Sequence, residues 1–466
     1  MLGMGNMRQW LMNISLVGGW FPAAAFAVIA VLSVTLLVSA AVSKRDGRIL
    51  ATVLPIGVAA VSGMVGYVVA WLLSDVFVVF GVGLGSRVMS WVAAGFAIAG
   101  FAIVHIVLSR GMMRVAAAIL TVFAILAAAI GIDQSYGEYA TIGSLFGEDS
   151  YSQADLTGLA KRKDLITVAQ WRKQAANGTI RNIPANGTVN KIDIPATKSQ
   201  FEARKALVYL PPAALADSKR KPALPVALML SGQPGSPGRL FQAGGIQTMM
   251  DGYAKTHDGL APIVIAADQL GADSHNTLCV DSKVYGNALT YLTQDVVDWV
   301  KTNLPAAQDA KDWAIAGFSQ GATCSLQIGV NHPDLFGTMI PTDSEIKPTN
   351  GSRQEMIDRF FDGDTTAYEN QVPVNAIRNH APTHQMLIIG AGEKDTTSIR
   401  NVKTIAPVAA KAGMRVAAVE SSGNAHDWHA VQDVLRYGLA VFGHDTGLDG
   451  ANPNLSDYPN LKRITI

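Results

Sequence analysis

Trp313-Ala314-Ile315-Ala316-Gly317-Phe318-Ser319-Gln320-Gly321-Ala322-Thr323-Cys324 is the stretch on which the reading of this chain turns. Trp313 to Ala316 is a short apolar run suited to a buried strand, and Ala322 to Val330 is compatible with a helix. Between them, Gly317-Phe318-Ser319-Gln320-Gly321 fits the pattern G-x-S-x-G, in which a serine sits on a sharp strand-to-helix turn. The glycines have a steric purpose, because side chains two positions either side of the serine would collide in so tight a turn. With 44 glycines in the chain the bare pentapeptide is a weak signal. The strand before it and the helix after it give it weight.

Outward from this turn, strand and helix patterns alternate. Ala206 to Leu210, Pro225 to Leu230, Pro262 to Ala267, Gln385 to Ile389 and Met414 to Val419 read as strands. Tyr291 to Leu304 and Asp433 to Phe442 read as helices. Such alternation, from about Thr188 onward, predicts a mostly parallel sheet flanked by helices.

A serine hydroxyl is a weak nucleophile until a base takes its proton, and that base is a histidine oriented by a carboxylate. Around a turn of this kind the chain order is serine, acid, histidine. Asp395, reached from the strand Gln385 to Ile389 through Gly390-Ala391-Gly392, is the favoured acid, with Glu393 its rival. His426, in the loop Gly423-Asn424-Ala425-His426-Asp427-Trp428, is the favoured base. His429, its rival, falls in the following helix. A tetrahedral oxyanion also needs preorganised donors. The backbone N–H of Gln320 is one candidate. Gln233 is the other, from the loop Gly232-Gln233-Pro234, where Pro234 has no N–H to offer. The plainer alternatives are surface or helix-capping histidines and an ordinary Gly/Pro-rich turn.

Upstream the composition changes. The chain has 466 residues, 49% hydrophobic and 16% charged, and the shortage of charge is concentrated between Val17 and Ile132. Four apolar runs occur there, near Gly18 to Val42, Leu50 to Leu73, Val88 to Leu108 and Met113 to Ile130, each close to the ~20 residues that span a bilayer. Lys44, Arg45 and Arg48 follow the first run, and Arg110 and Arg114 follow the third. The positive-inside rule puts both basic loops in the cytoplasm, with the N-terminus and everything after the fourth run outside. Asp75 and His105 lie toward span ends, where a side chain can reach the interface. Val76 to Val82 reads as a short interfacial segment. The organisation expected is a four-span region at 1–131, a linker and lead-in at 132–187 that includes a helical-looking Leu156 to Ala176, and an external domain at 188–466. A net charge of +1 gives no electrostatic case for nucleic acid. Two cysteines, Cys279 and Cys324, exclude a cysteine-rich zinc site or disulfide scaffold but leave room for one bridge.

The elbow at Gly317–Gly321, the turn before Asp395 and the Gly-x-x-His-Asp-Trp stretch around His426 resemble the esterase D / antigen 85 family of α/β-hydrolases. Asn276 to Ser282, with Gly286-Asn287 and Thr290-Tyr291-Leu292, resembles a membrane-tethered actinobacterial branch of it. The resemblance covers roughly 188–445 and leaves the four apolar runs outside. It implies ester chemistry through an acyl-serine, with water or an alcohol as acceptor, and the sequence, with no metal-ligand cluster or phosphate-binding Gly-rich loop in a suitable context, adds the expectation of catalysis without a cofactor. Antigen 85 members use a glutamate as acid, so Asp395 sits nearer the esterase pattern. Both cysteines then fall outside the cytoplasm, where a disulfide persists and could fix the helix after Ser319 against the loop carrying Cys279. The expected function is a membrane-anchored serine esterase acting on an envelope lipid or acylated glycan. The alternatives are a mycolyltransferase-like acyltransferase and a non-catalytic binding protein that keeps the fold. A transporter is disfavoured by the scarcity of charge within the spans.

Overall fold

The computed structural model describes residues 2–42, 48–77, 79, 84–146, 151–159, 164–180, 182–218 and 220–466. The chain divides into two compact units, Met1–Asp149 with the short stretch Ala425–Asp427, and Ser150–Asn424 with Trp428–Ile466.

In the first unit, α1 (Leu2–Met12) precedes α2 (Trp20–Ala41), α3 (Arg48–Trp71), α4 (Gly85–Leu108) and α5 (Met112–Tyr136). A π-turn at Leu72–Val76 continues α3. The four apolar runs become four helices long and apolar enough to cross a bilayer. Small residues let them approach closely: a Cβ on Gly131 of α5 would lie 2.2 Å from the ring of Trp91 on α4. Ile29, Leu36, Phe101, Ala102, Ala117, Leu120 and Ala127 form the buried seam. His105 does not reach outward as its position near a span end suggests. It is 3% exposed, with its ring 4.6 Å from that of Phe101, because it stands one turn beyond Phe101 on the inward face of α4. Asp75 is exposed. Lys44, Arg45 and most of Val76 to Val82 lie outside the described residues.

The second unit is built on a ten-stranded sheet. Its strands are β1 (Ser152–Gln153), β2 (Thr188–Ile192), β3 (Ala206–Leu210), β4 (Val226–Leu230) and β5 (Ile263–Ala266). A small separate hairpin, β6 (Asp281–Ser282) and β7 (Gly286–Asn287), comes next. The sheet then continues with β8 (Trp313–Phe318), β9 (Thr338–Thr342), β10 (Met386–Gly392), β11 (Arg415–Ser421) and β12 (Leu461–Arg463). The order is β1-β2-β3-β5-β4-β8-β9-β10-β11-β12. From β5 to β11 all neighbours run parallel, while β2, β3 and β12 pair antiparallel toward the edges. The central strands are buried on both faces, as parallel strands covered by helices must be. Leu228, Leu230 and Ile315 join one core, and Ala227, Met229, Ala314 and Ala316 join the other.

The register sets the active end. Leu230 pairs with Gly317, Phe318 with Thr342, Thr342 with Gly390, and Gly392 with Ser421. The C-terminal ends of β4, β8, β9, β10 and β11 therefore stand at one level, the edge at which open α/β sheets bind ligands.

Two elements differ from their sequence reading. Within Leu156 to Ala176 the helix is Val168–Ala176, started by a capping box between Thr167 and Gln170. Tyr291 to Leu304 begins as a π-turn, Tyr291–Asp295, before the helix Val296–Asn303. β9 is a central strand with no counterpart among the strands expected.

Candidate active site

Ser319 joins β8 to the helix Gln320–Asn331 with φ 56° and ψ −116°, a backbone conformation that residues with a side chain rarely adopt. Its N–H donates to Thr342 O at 3.0 Å, which ties the turn to β9. The glycines behave as the motif requires. A Cβ on Gly317 would lie 2.2 Å from Gly321 O, and one on Gly321 would lie 2.3 Å from Ser231 O. The helix thus starts hard against the end of β4.

Gln320 is the first residue of that helix, where N–H groups point outward without intrahelical partners. The loop after β4 runs alongside: a Cβ on Gly232 would lie 3.5 Å from Ser319 Cβ. Gln233 follows, partly exposed, with its side chain donating to Ser274 O at 3.3 Å. Arg204 braces this loop. It donates to Gly235 O at 2.9 Å and holds Asp268, just after β5, through Nε at 2.9 Å and Nη2 at 2.7 Å.

Asp395 is 8% exposed and caps the helix Thr396–Lys411, its Oδ1 accepting from Ser398 N–H at 3.0 Å. Glu393 is placed differently. Its carboxylate, 40% exposed, accepts from Gly423 N–H at 2.7 Å and pairs with Lys462 at 3.2 Å. The Gly423 hydrogen bond, then Lys462, hold it below the usual carboxylate range. Glu393 therefore braces the loop that leads to His426. Asn424 adds to that brace, its carbonyl accepting from Lys394 N–H at 2.8 Å and its side chain donating to Ser421 Oγ at 2.8 Å. Two residues after His426 comes Trp428, whose ring lies 4.9 Å from that of Phe318, the residue before Ser319. His429 lies in the helix Trp428–Asp445, partly exposed.

A residue absent from the sequence reading joins this group. Asp343 directly follows β9, is fully buried and has φ 54°. Its N–H donates to Gly390 O and its Oδ1 accepts from Gly392 N–H, both at 2.9 Å. One oxygen each from Asp343 and Asp395 and one ring nitrogen of His426 lie within 4.8 Å of one another. Such a set can relay a proton and has the donors to hold a cation. The signal that could have exposed Asp343 is a carboxylate ending an apolar run, Thr338 to Thr342, but Pro341 argues against a central strand there. The sheet accommodates it: β9 pairs with β10 at Thr338 and Met339 and again at Thr342.

Cys279 and Cys324 form a disulfide, 45 residues apart in sequence, that joins the helix after Ser319 to the loop after β5. The bridge inferred from the sequence is present.

The Esterase family model matches residues 198–438, which takes in the elbow, both carboxylates and His426. The chain belongs to the Esterase family. An uncharacterized protein of Corynebacterium glutamicum is 32% identical to this esterase-family chain over 333 residues, 70% of this chain and 74% of that protein. Among solved structures, an S-formylglutathione hydrolase from Agrobacterium tumefaciens is similar at 15% identity and TM-score 0.46, covering 57% of this chain and 98% of its own. MPT51 of Mycobacterium tuberculosis is similar at 15% identity and TM-score 0.40, covering 56% and 98%.

Proposed function

We propose that the chain is a membrane-anchored serine esterase that cleaves or transfers an acyl group outside the cytoplasm, through an acyl-enzyme on Ser319. The observation that carries this reading is the positive-φ turn at Ser319, at the centre of G-x-S-x-G and within the residues that the Esterase family model matches. Ser319 Oγ attacks the ester carbonyl carbon while its proton passes to His426. The carbonyl oxygen gains the negative charge and takes the N–H groups of Gln320 and Gln233. Collapse expels the alcohol, which receives the proton from His426 and leaves the acyl group on Ser319. Water or a second alcohol repeats the sequence in reverse. Asp395 fixes the imidazole and balances its charge.

The four apolar helices support anchoring, and the basic loops support an external catalytic unit. An enzyme held there meets envelope lipids and acylated glycans, hence the substrate class. The test is fluorophosphonate labelling of the full chain in detergent, beside Ser319→Ala. Labelling of the wild type alone is expected, and an unlabelled wild type overturns the reading. Product analysis with water and glycan acceptors then separates hydrolysis from transfer. Reporter fusions after α5 test the orientation, and a cytoplasmic signal there overturns it.

A further inference from the structure

We propose that Gln269 is a positioning residue for the oxyanion hole, its side-chain amide fixing the distance between the loop after β4 and the first turn of the nucleophile helix. This rests on the hydrolase reading above and adds to it the residue that sets the hole's width.

Gln269 lies three residues beyond β5 and is fully buried. Its Nε2 donates to Ser231 O at 2.6 Å and to Gln320 Oε1 at 3.1 Å. Ser231 opens the loop that carries Gly232 and Gln233, and Gln320 carries the other proposed donor. One amide group thus bonds both halves of the hole.

Backbone groups at the two ends fix the direction of these bonds. Ser231 O is a carbonyl and can only accept, so the Gln269 atom facing it is the NH2. Leu278 N–H donates to Asn276 Oδ1 at 3.1 Å, so that atom is an oxygen. Gln320 stands between, with Nε2 toward Asn276 Oδ1 at 3.3 Å and Oε1 toward Gln269. Donation therefore passes from Gln269 to Gln320 to Asn276, whose Oδ1 also accepts from Leu278 N–H, while the same Gln269 Nε2 donates to Ser231 O. The disulfide backs the middle of the chain, with Cys324 Sγ 3.3 Å and Cys279 Sγ 3.7 Å from Gln320 Nε2. The backbone of Gln269 is itself held by Thr277, whose hydroxyl donates to Gln269 O at 2.7 Å.

Stability alone is a poor reason for this amide. Gln269 Oε1 is buried without a hydrogen-bond partner among the described residues, a cost that an apolar side chain of the same size would avoid. The junction it spans is also tight, since a Cβ on Gly321 would already strike Ser231 O. Oxyanion donors act only if they are preset where charge develops, and losing one costs about 10²- to 10³-fold in kcat. A loosened pair should cost less than a lost donor.

The experiment uses the full chain in detergent, a p-nitrophenyl ester as substrate, and fluorophosphonate titration of Ser319, so that kcat is counted per competent site. Gln269→Leu is expected to lower kcat about 10- to 100-fold with KM within about twofold, because the hole acts on the transition state rather than on bound ester. Gln269→His, which can still donate, should recover part of the loss. Gln320→Met breaks only one of the two bonds that Gln269 makes across the hole and should fall between. Unchanged kcat in Gln269→Leu, or a fall no greater than its loss of titratable sites, overturns the proposal. If Gln269→Leu does not fold, an unchanged kcat in Gln320→Met overturns it instead. A wild type that does not label at Ser319 overturns the hydrolase reading itself. A wild type that labels beside an unimpaired Gln269→Leu overturns only the role of Gln269.

Discussion

Val122 and Ile125 on α5 are 64% and 67% exposed, whereas Val226 and Leu228 on β4 are fully buried. Both segments are apolar, yet one turns its large side chains outward and keeps Ala117, Leu120 and Ala124 inside, and the other hides everything. An outward-facing apolar surface on four successive helices is suited to lipid, where helices associate through close packing of small residues. The sheet gains its stability from removing apolar side chains from water on both faces. Hydrophobic content alone therefore does not separate the two units. What separates them is which side of each element carries the bulk.

The largest effect expected of a change confined to the α/β unit is on chemistry. Asp395→Asn should lower kcat by about 10⁴-fold while the protein stays membrane-bound. A small loss there, with a large one in Glu393→Gln, would reverse the assignment of the acid. Replacing Cys279 and Cys324 by alanine should cost up to about 4 kcal/mol in the chain-entropy treatment of a 45-residue loop. Denaturant unfolding of the α/β unit should register it, and the helices should not. The converse change is Ile125→Arg, which should cost about 3 kcal/mol of membrane insertion, read as protein lost from the membrane fraction. If Ile125→Arg inserts as well as the wild type, the contrast between the units fails. Asp343→Asn weakens a charged hydrogen bond to Gly392 N–H and should lower kcat about 10- to 100-fold, well short of Asp395→Asn.

The smallest effect concerns acid stability. Burial is the strongest single influence on Asp295 and raises its pKa. Hydrogen bonds from the Ser199 side chain, the Lys198 and Ser199 N–H groups and Thr197 outweigh it, and the net shift is downward. A carboxylate with a depressed folded pKa stabilises fully above its unfolded value and loses that contribution as pH falls through the folded one. Stability of the α/β unit should therefore decline below about pH 4. Asp295→Asn should remove about 1 kcal/mol at neutral pH and flatten the acid limb of a thermal-denaturation series. An acid limb unchanged by the substitution would exclude Asp295 from that decline.

The legible parts of the sequence were those where one physical demand dominates. Gly317 and Gly321 advertise a turn with no room for side chains, and unbroken apolar runs advertise α2 to α5. The sheet's parallel centre followed from alternation, since β3, β4, β5 and β8 are short buried runs ended by Pro, Gly or Asp. Less legible were places where tertiary structure overrules a local rule. Pro341 sits inside β9 because the gap it leaves in the β10 ladder is tolerated, and this concealed Asp343. His105 looked peripheral because its distance along the helix was visible and its face was not. The amides Gln269, Asn276 and Gln320 meet only after three loops converge, and no spacing in the sequence announces that.

The common level at which β4, β8, β9, β10 and β11 end carries a consequence for descent as well as for chemistry. Every proposed catalytic group is anchored at or just beyond a buried strand end, and the intervening stretches are free to lengthen over the surface. Relatives can therefore diverge in what they recognise by remodelling the insertions between strands, while the reaction they perform stays fixed by a handful of junction residues. In such a lineage, substitutions at Gly317, Ser319 and Gly321 should be purged while loop lengths drift.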